Sequence, residues 1–96
     1  MLRITVQEHG TLWRLHLAGR LEGAWVGETE NIWRSAPVSR RPVEIDMRDV
    51  TGIDEAGRCL LRAMNQAGAR FIAKGVAIEA LVEEITGKPV RQSRRA

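Results

Sequence analysis

The sequence is poor in the side chains that most often carry out catalysis or bind metals. It has no tyrosine, one cysteine and two histidines among 96 residues. Cys59 cannot form an internal disulfide by itself, and Cys59, His9 and His16 do not have the spacing of zinc ligands. The sequence contains neither a glycine-rich phosphate loop nor a histidine beside a serine or cysteine nucleophile. We therefore expect a protein that is not an enzyme and that holds no metal or cofactor.

Long apolar runs are also missing. No run approaches the roughly 20 apolar residues that a membrane-spanning helix needs, and residues 1–5 lack the apolar core of a signal peptide. These absences predict a cytoplasmic protein that does not insert into a membrane. With 44% hydrophobic and 28% charged residues, a chain of 96 residues fits one compact domain, which excludes a two-domain enzyme.

The positive charge is concentrated at the end of the sequence. The formal net charge is +3, but residues 1–86 carry 11 basic and 12 acidic residues, and residues 87–96 carry the other four basic ones. Because these last ten residues have almost nothing apolar to bury, we predict a domain over residues 1–86 and a basic flexible tail over residues 87–96. Binding to nucleic acid would depend on this tail and on Arg40-Arg41, and it is the weaker alternative.

The first part of the chain has the pattern of a hairpin followed by a helix. Apolar and polar residues alternate over residues 2–7 and again from residue 12, with a turn between them, so we predict a β-hairpin in which His9 and His16 are solvated. Apolar residues then recur at helical spacing up to Pro37. Trp25 and Trp33 share one face of this helix and are expected to pack onto a sheet, with base stacking as the alternative.

A second strand and helix follow. Residues 43–47 alternate as a strand, and a helix begins after Asp54, whose carboxylate is suited to accept from the amides two and three residues on. Gly68 is placed to end this helix. The adjacent carboxylates Asp54 and Glu55 point in different directions at a helix start, so a glycosidase-like acid and base pair is not favoured. Cys59 is predicted to be a packed thiol.

The last part repeats the strand and helix order. Residues 69–73 are apolar enough for a buried strand, and a third helix opens at Lys74-Gly75 and ends at Gly87. The sequence therefore predicts a single small α/β domain with the order β-β-α-β-α-β-α. Such an order implies a mixed, largely parallel sheet with crossover helices packed on it.

Three segments together resemble the STAS family, which includes sulfate-transporter tails and anti-sigma-factor antagonists. Residues 46–61 (DMRDVTGIDEAGRCLL) look like its signature, in which a strand ends in aspartate and Ile-Asp, two small residues, glycine and an apolar helix follow. Residues 17–21 (LAGRL) resemble its exit from the second strand, and residues 67–72 (AGARFI) resemble its glycine turn into the next strand. The resemblance covers residues 1–86, although typical members carry a further strand or helix.

The resemblance suggests where function lies. In antagonists that cycle on an anti-sigma factor, the residue after the loop aspartate is a phosphorylated serine or threonine, whereas this chain has Glu55 and then Ala56. A helix start favours an anion, so Glu55 is either a fixed, partial stand-in for the phosphorylated state or an ordinary first-turn acid. Thr51 carries the nearest hydroxyl and is a minor candidate for phosphorylation. The commoner role of such a residue is a hydrogen bond that holds the loop.

The resemblance thus implies a non-catalytic protein-interaction domain with a constitutive or non-phosphoregulated partner. We expect the partner to contact the loop over residues 50–53 and the exposed start of the second helix. Asp54 would cap the helix, Gly57 would let the partner approach its backbone, and Arg58 and Arg62 would offer exposed contacts one turn apart. The predicted site comprises Thr51, Gly52, Asp54, Glu55, Ala56, Gly57, Arg58 and Arg62.

The partners that the family implies are a kinase-like anti-sigma factor, a stressosome-like assembly, or the ATPase of a lipid-transport ABC system that carries a stand-alone STAS subunit. Nucleotide binding, which some STAS domains show, is a further alternative, but the sequence has no phosphate-cradling motif. A homodimer is left open. The sequence does not choose among these partners.

Overall fold

The computed structural model describes residues 1–35 and 42–88, which form one four-stranded sheet and three helices. The elements follow one another in the predicted order, so the predicted fold class is confirmed. Arg40-Arg41 and the predicted tail beyond Lys88 lie outside the described residues. The elements are β1 (Leu2–His9), β2 (Leu12–Leu21), α1 (Ala24–Trp33), β3 (Val43–Ile53), α2 (Glu55–Gln66), β4 (Arg70–Ile72) and α3 (Val76–Thr86).

The first two strands form the predicted hairpin. They pair without a register shift from Leu2 opposite Gly19 to His9 opposite Leu12. Only Gly10 and Thr11 connect the strands, and Gly10 has a φ of 64°, which a two-residue hairpin turn requires and which side chains other than glycine rarely adopt. The alternation in the sequence therefore becomes a sheet edge with one apolar and one polar side.

The helices cover one face of the sheet. The strand order is β1-β2-β3-β4, with β1 antiparallel to β2 and the other neighbours parallel. Because the parallel connections step in one direction and right-handed crossovers are the rule, α1 and α2 lie on the same face. Alternate residues of β2 and β3 are buried against the helices in a single apolar core, whose fully buried members include Leu15, Leu17, Leu21, Ile45, Met47, Leu61 and Met64.

The opposite face of the sheet carries ion pairs. Asp46 is only 3% exposed because Arg48 folds over it and donates from its backbone and guanidinium nitrogens at 2.8 to 3.1 Å. These hydrogen bonds hold the pKa of the Asp46 carboxyl below its usual value. His9 is exposed as predicted, whereas His16 is half-buried and lies 2.7 Å from Asp49.

The two tryptophans of α1 pack against the core, as predicted. Trp33 is buried and Trp25 is half-buried. The helix ends at Trp33 rather than just before Pro37, and Arg34 occupies the C-cap, where its amide donates to the carbonyl of Glu30 at 2.9 Å. Within the residues that the structure describes, no helix has the length and apolar character needed to cross a membrane.

The last strand differs from its prediction. The segment predicted as a buried strand contributes only three residues to the sheet, β4, and their side chains are exposed or half-buried. The reason is that β4 is the last strand in the described part of the sheet, so only β3 pairs with it. Its last residue, Ile72, lies opposite Asp46, well before the end of β3.

From the end of β4, α3 runs back towards the carboxyl end of β3. Arg58, in the first turn of α2, donates from Nη1 to Oε1 of Glu84 in the last turn of α3 at 2.9 Å. The end of α3 therefore lies beside the start of α2. Gly87 has a φ of 73° and ends α3 as predicted.

Candidate functional site

The predicted site residues lie where β3 ends and α2 begins. We call residues 51–58 the α2 start, and Arg62 follows one turn further along the same helix. The stretch over residues 50–53 was expected to be a loop, but it is the last part of β3 and stays paired with β2 as far as Leu21 opposite Ile53. Val50 is only 5% exposed and packs this end of the strand against the core.

Asp54 caps α2, as predicted from the sequence. Its Oδ1 accepts from the amide of Gly57 at 2.8 Å. Its Oδ2 accepts from the amide of Gly23, the N-cap residue of α1, at 2.9 Å, a contact that the sequence analysis missed. One carboxylate therefore fixes the starts of two helices to each other.

These two contacts also determine the charge of Asp54. The hydrogen bond from the Gly23 amide, followed by that from the Gly57 amide, lowers the pKa of the Asp54 carboxyl. Both donors favour the ionised form because only a carboxylate offers two acceptor oxygens at once. The negative charge at the helix starts is thus built into the fold and faces the positive ends of both helix dipoles.

Gly57 has a structural role that contradicts its predicted one. It is buried, and a Cβ placed on it would lie 2.7 Å from the carbonyl oxygen of Leu21 and 2.8 Å from Cγ2 of Ile53. The expectation that a partner approaches its backbone is therefore wrong. The missing side chain lets the first turn of α2 pack directly on the end of β2.

Glu55 lies on the other side of the same turn. Its side chain is 77% exposed, and its Oε2 lies 3.7 Å from Nη1 of Arg62, which is 45% exposed. Ala56 is also exposed. The helix fixes the position of the Glu55 backbone, while the carboxylate itself stays in solvent within reach of another macromolecule.

Two other side chains on α2 differ from their predictions. Cys59 is exposed, so the expectation of a packed thiol is wrong. Arg58 is half-buried, and its guanidinium is already paired with Glu84, so it is less available for an outside contact than Arg62. Arg62 alone fits the prediction of an exposed basic contact.

Thr51 and Gly52 shape the strand side of the α2 start. Thr51 is exposed and is the extra residue of a bulge, since Gly19 lies opposite Val50 while Arg20 lies opposite Gly52. A Cβ on Gly52 would lie 3.0 Å from Oε2 of Glu22, so the short residue leaves room for that side chain.

The α2 start carries exposed charge on backbone that the helix cap and the pairing with β2 hold in position. Its charged groups sit on fixed backbone, and Glu55 and Arg62 present opposite charges side by side. Within residues 1–35 and 42–88, no three His, Cys, Asp or Glu side chains come together as metal ligands. The arrangement can bind a partner through charge and shape.

Of the comparisons with known proteins, one likeness to a solved structure bears on the fold. No protein-family model matches the sequence, and no curated protein matches it. Among solved structures, the chain is similar to an uncharacterized protein of the DUF3478 family with a SpoIIAA-like fold from Shewanella loihica PV-4. The TM-score is 0.57 at 12% identity, over 94% of this chain and 83% of that one.

A second solved structure, described as Mglu, is similar over a smaller region. The identity is 28% and the TM-score is 0.47, over 75% of this chain and 19% of that one. SpoIIAA has the fold of the STAS domains and anti-sigma-factor antagonists. The structure and the first likeness together show that this chain is a small α/β domain with a SpoIIAA-like, STAS-type fold.

Proposed function

We propose that this chain is a non-catalytic protein-interaction module of the anti-sigma-factor-antagonist type, in which Glu55 supplies a permanent negative charge. The observation that carries the proposal is the exposed Glu55 carboxylate on the first turn of α2. In the family that the sequence resembles, this position holds the residue whose phosphorylation controls partner binding. A glutamate there brings one charge that no kinase or phosphatase can change.

The structure around Glu55 supports a contact role. Asp54 and Gly57 hold the helix start in place, so the partner would meet a preformed surface and lose little entropy in ordering it. Exposed Arg62 offers a second charged group within the same patch. Arginine is enriched at the energetic centres of protein interfaces.

The partner class remains part of the proposal. A kinase-like anti-sigma factor, a stressosome-like assembly and the ATPase of a lipid-transport ABC system are the three classes implied by the resemblance. Because the switchable hydroxyl is replaced by Glu55, we propose a constitutive complex. Proteins encoded by neighbouring genes are the first partners to test.

The test measures the affinity of such a partner for the wild type and for Glu55→Ala by isothermal titration calorimetry. If the partner binds through the negative charge of Glu55, Glu55→Ala should weaken binding about tenfold. The melting temperature should hardly change, because the Glu55 side chain lies mostly in solvent. Glu28→Ala is the matched control, since Glu28 is an exposed acid on α1 and its removal changes the net charge equally.

A kinase partner adds a second readout. Glu55→Ser restores a hydroxyl at the position that the family phosphorylates, so incubation with the kinase and ATP should label this variant and leave the wild type unlabelled at that residue. Equal affinities for wild type and Glu55→Ala would contradict the proposal. Equal losses of affinity in Glu55→Ala and Glu28→Ala would also contradict it, because the partner would then respond to net charge alone.

A further inference from the structure

We draw no further inference here: the strongest candidate, a cavity of about 290 Å³ between the ends of α1 and α2 and the start of β3, is lined mainly by apolar residues around Trp33 and Val43 beside the undescribed segment over residues 36–41, and nothing in the described part of the chain shows what covers it.

Discussion

On the inward side of the first turn of α2, Gly57 touches the end of β2 and Asp54 bonds two amides, whereas on the outward side Glu55 extends into solvent. The inward residues have neighbours that allow almost no substitution. The outward residue has one loose ion pair with Arg62. This difference separates the residues that place the surface from the residue that gives it its charge, so charge can change here without a change of fold.

The largest expected change in stability comes from a substitution on the inward side of this turn. Gly57→Ala should lower the free energy of unfolding by about 1 to 3 kcal/mol, because the new Cβ would meet the backbone carbonyl of Leu21 at 2.7 Å and the helix would have to move. Urea unfolding followed by circular dichroism measures the change.

Gly27 on α1 provides the control for Gly57. It is exposed, and a Cβ on it would meet nothing within 4 Å. Gly27→Ala should therefore raise the free energy of unfolding by about 0.5 to 1 kcal/mol, since alanine favours a helix over glycine. If both substitutions stabilised the protein equally, the close packing of the α2 start on β2 would be wrong.

The second effect concerns the carboxylate between the two helices. Asp54→Ala removes the acceptors for the amides of Gly23 and Gly57 and should lower the melting temperature by about 4 to 8 °C. Asp54→Asn keeps one acceptor oxygen, so its melting temperature should fall between those of the wild type and Asp54→Ala. Identical melting curves for Asn and Ala variants would show that the amide restores neither hydrogen bond.

The smallest expected effect is on how the melting temperature falls at acid pH. The pKa of Asp54 is lowered by the amides of Gly23 and Gly57, and that of Asp46 is lowered by Arg48. Since both folded values lie below the unfolded ones, their stabilisation is complete above about pH 4 and is lost as the pH falls through the folded values. Asp54→Asn should therefore show a shallower loss of melting temperature below pH 4 than the wild type. Parallel curves from pH 7 to pH 2 would contradict this assignment.

The parts of the fold that depend on near neighbours in sequence could be predicted. Alternation over residues 2–7 fixed the hairpin, and the helical spacing of residues 78–85 fixed α3 because periodic apolar residues have only one way to face a core. Asp54 could be recognised as an N-cap because a cap acts on amides within the next turn.

The features that could not be predicted depend on contacts between residues that are far apart in the sequence. The burial of Gly57 comes from Leu21, and the second hydrogen bond of Asp54 comes from Gly23, neither of which is marked by any local spacing. The exposure of Cys59 depends on how α2 is rotated against the sheet, which a single stripe of apolar residues fixes only approximately. The sequence therefore predicted that these residues meet at the start of α2, while the roles of the inward residues Asp54 and Gly57 needed the structure.

The shared carboxylate of Asp54 has a consequence for local opening. The amides of Gly23 and Gly57 are 34 positions apart in the chain but end on the same side chain. Neither helix can fray at its first turn without disturbing the acceptor of the other, so both amides should exchange with deuterium at similar rates. The two crossovers would then behave as one cooperative unit, and a bound partner that slows exchange at one helix end should slow it at the other.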